Sequence, residues 1–404
     1  AAEACGLEAC VAATGSELEC AAAAHDVHVK HADGSVTVMR VPGGSAKSVH
    51  ASAQRVQWTA AHQTAFDTLL VDPNNRLVPI TKPRGLGLPV AQCVTVNTLK
   101  LDVATGGLTD KSYKSRHCFD ANRWTREMDK RELPHFEPTS STVADDLLVK
   151  ITLSDAAARD RNLTKLDESN AYAKGERRRP ATYMHTPATL PMFDADGTRL
   201  VIEFNGTPIW GEGPAGAEWQ ATLHAGLVAD GWMPAEGVPC LYTRRFADGH
   251  DAAIATIVDD VLVSESSSDF RAAKLLKRQL ERRYGVGETK MEHEPTFFAG
   301  LTLRRDRARR ALTICMSAVI EAAAREHVPE YVAGASRAEM GLPTGKRLQQ
   351  IADGLRLPPA AERAALKPKQ RGVRTILGKL KWYEKVTPAL VAHGAPPVVR
   401  RGVD

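Results

Sequence analysis

The chain of 404 residues is 43% hydrophobic, enough to bury a substantial core spread over two or three subdomains. Its formal charge of +5 and pI near 8.8 are far from those of a histone-like packing protein, and no run of about 18 apolar residues offers a membrane helix. The Ala-rich opening lacks a basic start and a long apolar core, which argues against a signal peptide. Cys5, Cys10, Cys20, Cys93, Cys118, Cys240 and Cys315 are odd in number and scattered, a pattern of reduced thiols that predicts an intracellular protein, cytoplasmic or nuclear and not secreted.

In chain order, residues 1–50 read as a leader with one hairpin, His28–His31 and Val36–Met39 around Asp33-Gly34. Cys5, Cys10, Cys20, His25, His28 and His31 lie near one another, but their spacings match no zinc knuckle or finger, and coincidence is the preferred reading. From Trp58 to about Phe136 a helix and strands alternate, with a hairpin turn at Thr105-Gly106-Gly107. On the strand Tyr113–Phe119, Lys114 and Arg116 lie two apart and share a face. Two cations so placed suit a triphosphate, Arg as a fork and Lys as a point charge; a solvated basic strand is the alternative. A helix is expected from Thr142 to about Ala158, then a strand ending at Asp167. Further helices are expected over Glu218–Asp230, ended by Gly231, and over Asp269–Tyr284, from an Asp cap to Gly285. In the latter, Phe270, Ala273, Leu276, Leu280 and Tyr284 form one buried face. Ser317 caps another helix running to His327, and a basic helical region after Pro343 leads to a frayed tail at Pro396-Pro397. There is no internal repeat.

The segment Ala253–Val263 places Asp259-Asp260 between two apolar, β-branched runs, at the tip of a hairpin. Two readings are open: Asp as an ordinary turn residue, or an adjacent pair neutralised by a hard divalent ion such as magnesium. Asp167, at the end of a separate strand, gives the second reading its missing member. A two-metal phosphoryl-transfer site needs carboxylates from separate strands converging on ions roughly 3.5–4 Å apart.

In this order the residues resemble the reverse transcriptase of copia-type LTR retrotransposons. The family's first acidic motif matches Leu166–Gly175, followed by Tyr183-Met184-His185-Thr186-Pro187, and its Y-V-D-D turn matches Ile257-Val258-Asp259-Asp260. Gly231-Trp232 with Pro239–Tyr242, Phe298-Ala299-Gly300-Leu301, and Leu377–Tyr383 with Thr387-Pro388 follow in the family's order. Tyr113–Phe119 stands where the family has a basic segment that closes over the triphosphate. The likeness runs from about Trp58 to Leu390 and implies an α+β right-hand polymerase fold, an antiparallel palm sheet backed by helices. Fingers would occupy 58–136, mainly palm 137–305 and thumb or connection 306–390, with 391–404 a tail. A generic magnesium-dependent phosphotransferase would explain the acids but not this serial order.

The resemblance implies an RNA-directed DNA polymerase of a Pol polyprotein, with an RNA or DNA template, a primer and dNTPs as partners. Two magnesium ions, or manganese in their place, would sit on Asp167, Asp259, Asp260 and the Val258 backbone. Lys114 and Arg116 would bind the triphosphate, the amides of Asn170 and Ala171 would meet its phosphates, and Tyr172 would lie beneath the sugar and disfavour a 2′-hydroxyl. Arg177-Arg178-Arg179, Lys274–Arg283, Arg304-Arg305 with Arg307, Arg309 and Arg310, and Lys367–Lys385 would supply backbone contacts, unless they are solvated faces. An RNase H part is expected to be missing or to lie beyond the chain, and no integrase or aspartic protease is expected before Trp58.

The departures from the family are specific. In Ile209–Trp219, Gly213, Pro214 and Ala217 replace the family's Lys, Gln and Arg, which predicts weakened seating of the nucleotide. Glu168 replaces a Val and is expected to add a charge beside the metals, Ile257 replaces a Tyr, and Pro388-Ala389 replaces Arg-Pro-Asp. A catalytically degenerate copy that only binds nucleic acid is the alternative reading.

Overall fold

The chain divides into two units, Ala1–Met316 and Ser317–Asp404. The computed structural model describes residues 24–100, 107–134 and 143–315, apart from 32, 34, 110 and 286, all in the first unit. The cysteines of the leader, the Thr105-Gly106 turn, the Ser317 helix, the Leu377–Pro388 motif and the tail lie outside the described residues.

The elements in order are β1 (His25–Lys30), β2 (Val36–Val41), α1 (Ala46–His50), α2 (Arg55–Leu69), β3 (Arg76–Pro79), α3 (Thr81–Gly85), β4 (Cys93–Leu99), β5 (Tyr113–Phe119) and α4 (Ala121–Lys130). Then come α5 (Asp146–Ala158), β6 (Asn162–Glu168), a 3₁₀ turn (Ala171–Lys174), β7 (Thr182–His185), β8 (Leu200–Phe204) and α6 (Ala215–Ala229). The described part ends with β9 (Met233–Pro234), β10 (Leu241–Arg245), β11 (Asp251–Ile257), β12 (Asp260–Glu265), α7 (Arg271–Tyr284), β13 (Thr289–His293), β14 (Phe297–Phe298), β15 (Leu301–Asp306) and β16 (Ala311–Cys315).

The expected hairpin forms as β1–β2 and packs its Val29 and Val41 with Trp58 and Leu99. The central sheet has six strands in the order β13-β6-β12-β11-β10-β9, every neighbour antiparallel. β11 and β12 draw their strand character from Ile254, Ile257, Val261 and Val263, whose branched side chains fit a pleated, packed surface. One face of this sheet is covered by α6 and α7: Trp219, Leu223 and Leu227 of the first and Ala273, Leu276 and Leu280 of the second pack on Leu166, Ile254, Val261 and Val263. Alternation then puts Lys165, Asp167, Asp260 and Leu262 on the opposite face. Smaller sheets are β3-β8-β7, β4-β5 and β14-β15-β16. A second core joins Phe66 of α2 and Phe119 of β5 with Trp124, Met184, Ile202 and Phe204. The architecture is mixed α and β with antiparallel sheets, as expected in that coarse form.

Helix ends differ from expectation in instructive ways. α5 starts at Asp146, where the Asp145 carboxylate accepts from the Leu147 amide (2.7 Å), an N-cap later than Thr142. α6 begins at Ala215, after Pro214, three residues earlier than Glu218. Its C-terminus is as expected: Gly231 has φ +84°, Trp232 N–H donates to Leu227 O, and Gly231 N–H to Val228 O. α7 lacks its expected Asp cap. Asp269 accepts from the Ser267 hydroxyl instead, and the Glu265 carboxylate of β12 accepts from the amides of Ala272 (2.8 Å) and Ala273 (3.0 Å).

Candidate active site at the acidic hairpin

β11 and β12 are joined by Val258 and Asp259 alone, between the paired Ile257 and Asp260. Val258 has φ +53°, a conformation a β-branched residue rarely accepts and that costs of order 1–3 kcal/mol. The core holds it there. Its side chain is buried among the residues packed by α6 and α7, and its carbonyl accepts from the Trp219 indole N–H at 2.6 Å. The carbonyl expected to face a metal is thus engaged by the core. Glu168 N–H donates to Asp259 O (3.0 Å), stitching the hairpin tip to β6.

In the β6–β12 register Asp260 stands directly opposite Asp167, and on the other flank of β6 Lys290 pairs with Asp167. The two acids expected to cooperate are therefore cross-strand neighbours, about 5 Å apart at the backbone. Lys165 Nζ lies 3.1 Å from Asp260 Oδ1, and Lys290 Nζ donates to Asp167 Oδ2 at 3.0 Å. Asp260 Oδ1 is buried and accepts no hydrogen bond, so Lys165 satisfies it by charge and not by hydrogen-bond geometry.

Glu168 is not beside these acids. Strand alternation turns it to the opposite face, where its buried carboxylate accepts from Lys174 Nζ (2.6 Å) and Thr289 Oγ1 (2.6 Å). The expectation of an extra charge at the site is corrected by that geometry.

Burial pushes the Asp259 carboxyl up to about 6, helped by repulsion from Asp260 and Asp167 and opposed by Arg116. Burial also raises Asp260, against the pull of Lys165. For Lys165 burial favours the neutral amine, but Asp260, then Asp167 and Glu292, outweigh it and hold the group above its ordinary value. Lys114 is lowered by burial and by the cations Lys100, Lys290 and Arg116, with Asp167 opposing. β5 thus brings Lys114 within electrostatic reach of Asp167 and Arg116 within reach of Asp259. The expected cation pair and the expected carboxylates share one neighbourhood.

Asn170 is exposed with φ +54°, whereas Ala171 and Tyr172 are buried. Tyr172 belongs to the central core, its ring 6.1 Å from that of Trp210. A sugar-facing role would have to be played by a ring only 5% exposed. Trp210 in turn lies under Arg116, whose guanidinium carbon is 5.8 Å from the ring centroid.

The loop that departs most from the family has its own construction. Trp210 O accepts from Phe119 N–H (2.7 Å), joining the loop to β5. Gly211 has φ +92°, and a Cβ there would lie 2.2 Å from Phe119 O. Glu212 is buried and held down to about 2: burial disfavours its charge, but Arg177 and Arg179 outweigh that. Arg177 Nη1 and Arg179 Nη2 lie 3.1 and 2.6 Å from Glu212 Oε2, the Thr182 hydroxyl donates to Glu212 Oε1 at 2.6 Å, and Arg179 also reaches Glu218 at 3.1 Å. The Arg177-Arg178-Arg179 run is therefore mostly not a phosphate surface, because Arg177 and Arg179 are consumed inside.

Other basic runs are partly consumed too. Arg282 and Arg283 pair with Asp230, Lys277 with Glu281, and Arg305 and Arg307 with Asp160 and Glu294.

The carboxylate oxygens of Asp167, Asp259 and Asp260 are hard donors, and the buried Asp260 Oδ1 without a hydrogen bond suits a hard cation. Among the described residues no three His, Cys, Asp or Glu side chains already stand in metal-binding geometry. Side-chain rotation away from the lysines is what a cation would require. Lys165, Lys290, Trp210, Glu212 and Glu218 were not anticipated as parts of the site. Lys165 alone carried a signal, since it is two residues from Asp167 and must share its face.

Among the described residues no helix is long and apolar enough to cross a membrane. No family model and no curated protein matches the chain. Among solved structures it is similar to a telomerase from Candida albicans, determined in complex with a TWJ fragment of telomeric RNA, at 12% identity and a TM-score of 0.34. That similarity covers 65% of this chain and 50% of the telomerase chain, so the chain spans half the length of the protein it resembles.

Proposed function

We propose that the chain is a right-hand polymerase of the copia reverse-transcriptase type, an RNA-directed DNA polymerase that extends a primer on an RNA or DNA template with dNTPs. The observation that carries this reading is the register that sets Asp260 opposite Asp167, with Asp259 at the tip of a strained hairpin in the field of Arg116. An ordinary turn has no need of a β-branched residue at φ +53°, or of a carboxyl buried, beside two further acids, until it is raised to about 6.

In this reading Asp167, Asp259 and Asp260 would hold magnesium, with manganese as a substitute. When bound, the metal supplies activation of the primer 3′-hydroxyl and neutralisation of the leaving pyrophosphate. Lys114 and Arg116 bind the triphosphate from the β5 side, and Arg116 is held in place by the Trp210 face.

The test is primer extension on an RNA template with magnesium, beside Asp259→Asn. The expected result is extension by the native chain and a loss of about 100-fold or more in the variant. Equal extension by both would sink the reading. A degenerate copy that only binds nucleic acid is the second reading, favoured by Gly213, Pro214 and Ala217 and by the lysines paired to Asp167 and Asp260. Salt-sensitive binding without extension is its signature.

A further inference from the structure

The lysines at the carboxylates differ in kind. Lys290 comes from the neighbouring strand and is 68% exposed, so its contact with Asp167 is a surface ion pair of small energy. Lys165 is 21% exposed, on the same strand and face as Asp167, and its ammonium meets the buried Asp260 oxygen that accepts no hydrogen bond. No other cation is paired with Asp260 among the described ion pairs. Removing Lys165 from such a half-buried pair leaves the Asp260 charge uncompensated unless another cation arrives or the carboxyl takes up a proton.

We propose that Lys165 is a resident cation of the acidic site, competing with divalent metal for Asp260 and keeping the metal-free protein folded. The inference rests on the reading of Asp167, Asp259 and Asp260 as a metal site and deepens it. The geometry makes the exchange local: the Asp260 carboxylate either faces the Lys165 ammonium or turns to a metal shared with Asp167 and Asp259, and the ammonium must withdraw in the second case. Two cations cannot both crowd one carboxylate oxygen in a half-buried site without repelling each other. Charge at position 165, and not its length or shape, is therefore what sets metal affinity.

The experiment is a titration of the full chain with Mn2+, followed by the loss of the free-ion electron paramagnetic resonance signal. The native chain is compared with Lys165→Met, Lys165→Arg, Lys290→Gln and Asp260→Asn, each checked by thermal melting without metal. The expected results are at least tenfold tighter binding in Lys165→Met, native-like binding in Lys165→Arg, a change under threefold in Lys290→Gln, and loss of the site in Asp260→Asn. The metal-free Lys165→Met protein melts lower, and Mn2+ restores its melting temperature more than that of the native chain. Affinity unchanged or weakened in Lys165→Met, with Asp260→Asn still losing the site, overturns the inference and leaves the metal reading standing. Binding that Asp260→Asn does not alter, or no binding by any variant, overturns both. Should Lys165→Met not fold without metal, Lys165→Gln titrated at low temperature gives the same comparison. Folding of that variant only with Mn2+ supports the proposal, and failure to fold at any Mn2+ concentration overturns it.

Discussion

Asp259 and Glu212 show how two buried carboxyls are shifted in opposite directions in one protein. Both carboxyls are desolvated, but Asp259 meets two further acids while Glu212 meets two guanidinium groups. The first is raised to about 6 and the second lowered to about 2. A carboxyl lowered in the folded state adds stability above its unfolded pKa, near 4.5, and that stability is lost as pH falls toward about 2. Replacing Glu212 by Gln leaves Arg177 and Arg179 buried with reduced compensation, and should cost about 3–5 kcal/mol in urea unfolding at pH 7. A loss under about 1 kcal/mol would mean that the two arginines find water or other partners. None of this was visible in the chain, where Arg177 and Arg179 look like any exposed basic run and Glu212 like one departure among several.

At the scale of elements, neighbours supply what local sequence lacks. α7 begins after Phe270 in a left-handed conformation with no cap from its own side chain, and Glu265 of β12 reaches over to take two of its first amides. This couples the strand that carries Asp260 to the helix that backs the sheet. Glu265→Ala should destabilise the fold by about 2 kcal/mol by leaving two buried amides unpaired. Hydrogen exchange in the first turn of α7 should quicken; protection unchanged there would remove Glu265 from this role. The loop around Gly211 is a second such joint, because its neighbour Trp210 hydrogen-bonds the end of β5 and supports Arg116. Gly211→Ala should move β5 away from the acidic hairpin, weakening triphosphate binding more than overall stability, read by titration with a fluorescent dNTP beside a melting curve.

For the molecule as a whole, acid is the sensitive direction. His117, fully buried, is pushed by burial down to about 4, and its neighbour His62 is lowered for the same reason. His117 Nε2–H donates to the His62 backbone carbonyl at 3.0 Å, and His62 meets Asn97 at 2.8 Å and Thr189 at 2.6 Å. A histidine kept neutral in the folded state contributes stability above its unfolded pKa of 6.5 that is lost as pH falls to about 4, roughly 3 kcal/mol for His117. Asp259 works the other way between about 6 and 3.8, because its raised carboxyl takes up a proton more readily when folded. A His117→Gln comparison separates the two: from pH 7 to 4 the native chain should lose about 3 kcal/mol more than the variant. Parallel losses would show that His117 does not titrate on unfolding.

What the chain by itself determined were the features written in local chemistry. Alternating branched residues set β11 and β12, Gly231 ended α6, and the spacing of Ala273, Leu276 and Leu280 chose the buried face of α7. The placement of Asp259 at a hairpin tip and of Lys165 with Asp167 on one face also follows from a repeat of two and a turn. Only the tertiary structure decided which charges meet. Glu168 found Lys174 and Thr289 on the far face, Arg177 and Arg179 found Glu212, Tyr172 went into the core, and the Val258 carbonyl turned to Trp219. Periodicity fixes the side of an element on which a residue lies. A buried charge or carbonyl, however, takes whatever partner the packing of distant elements brings within reach, and that choice is made only when the core closes.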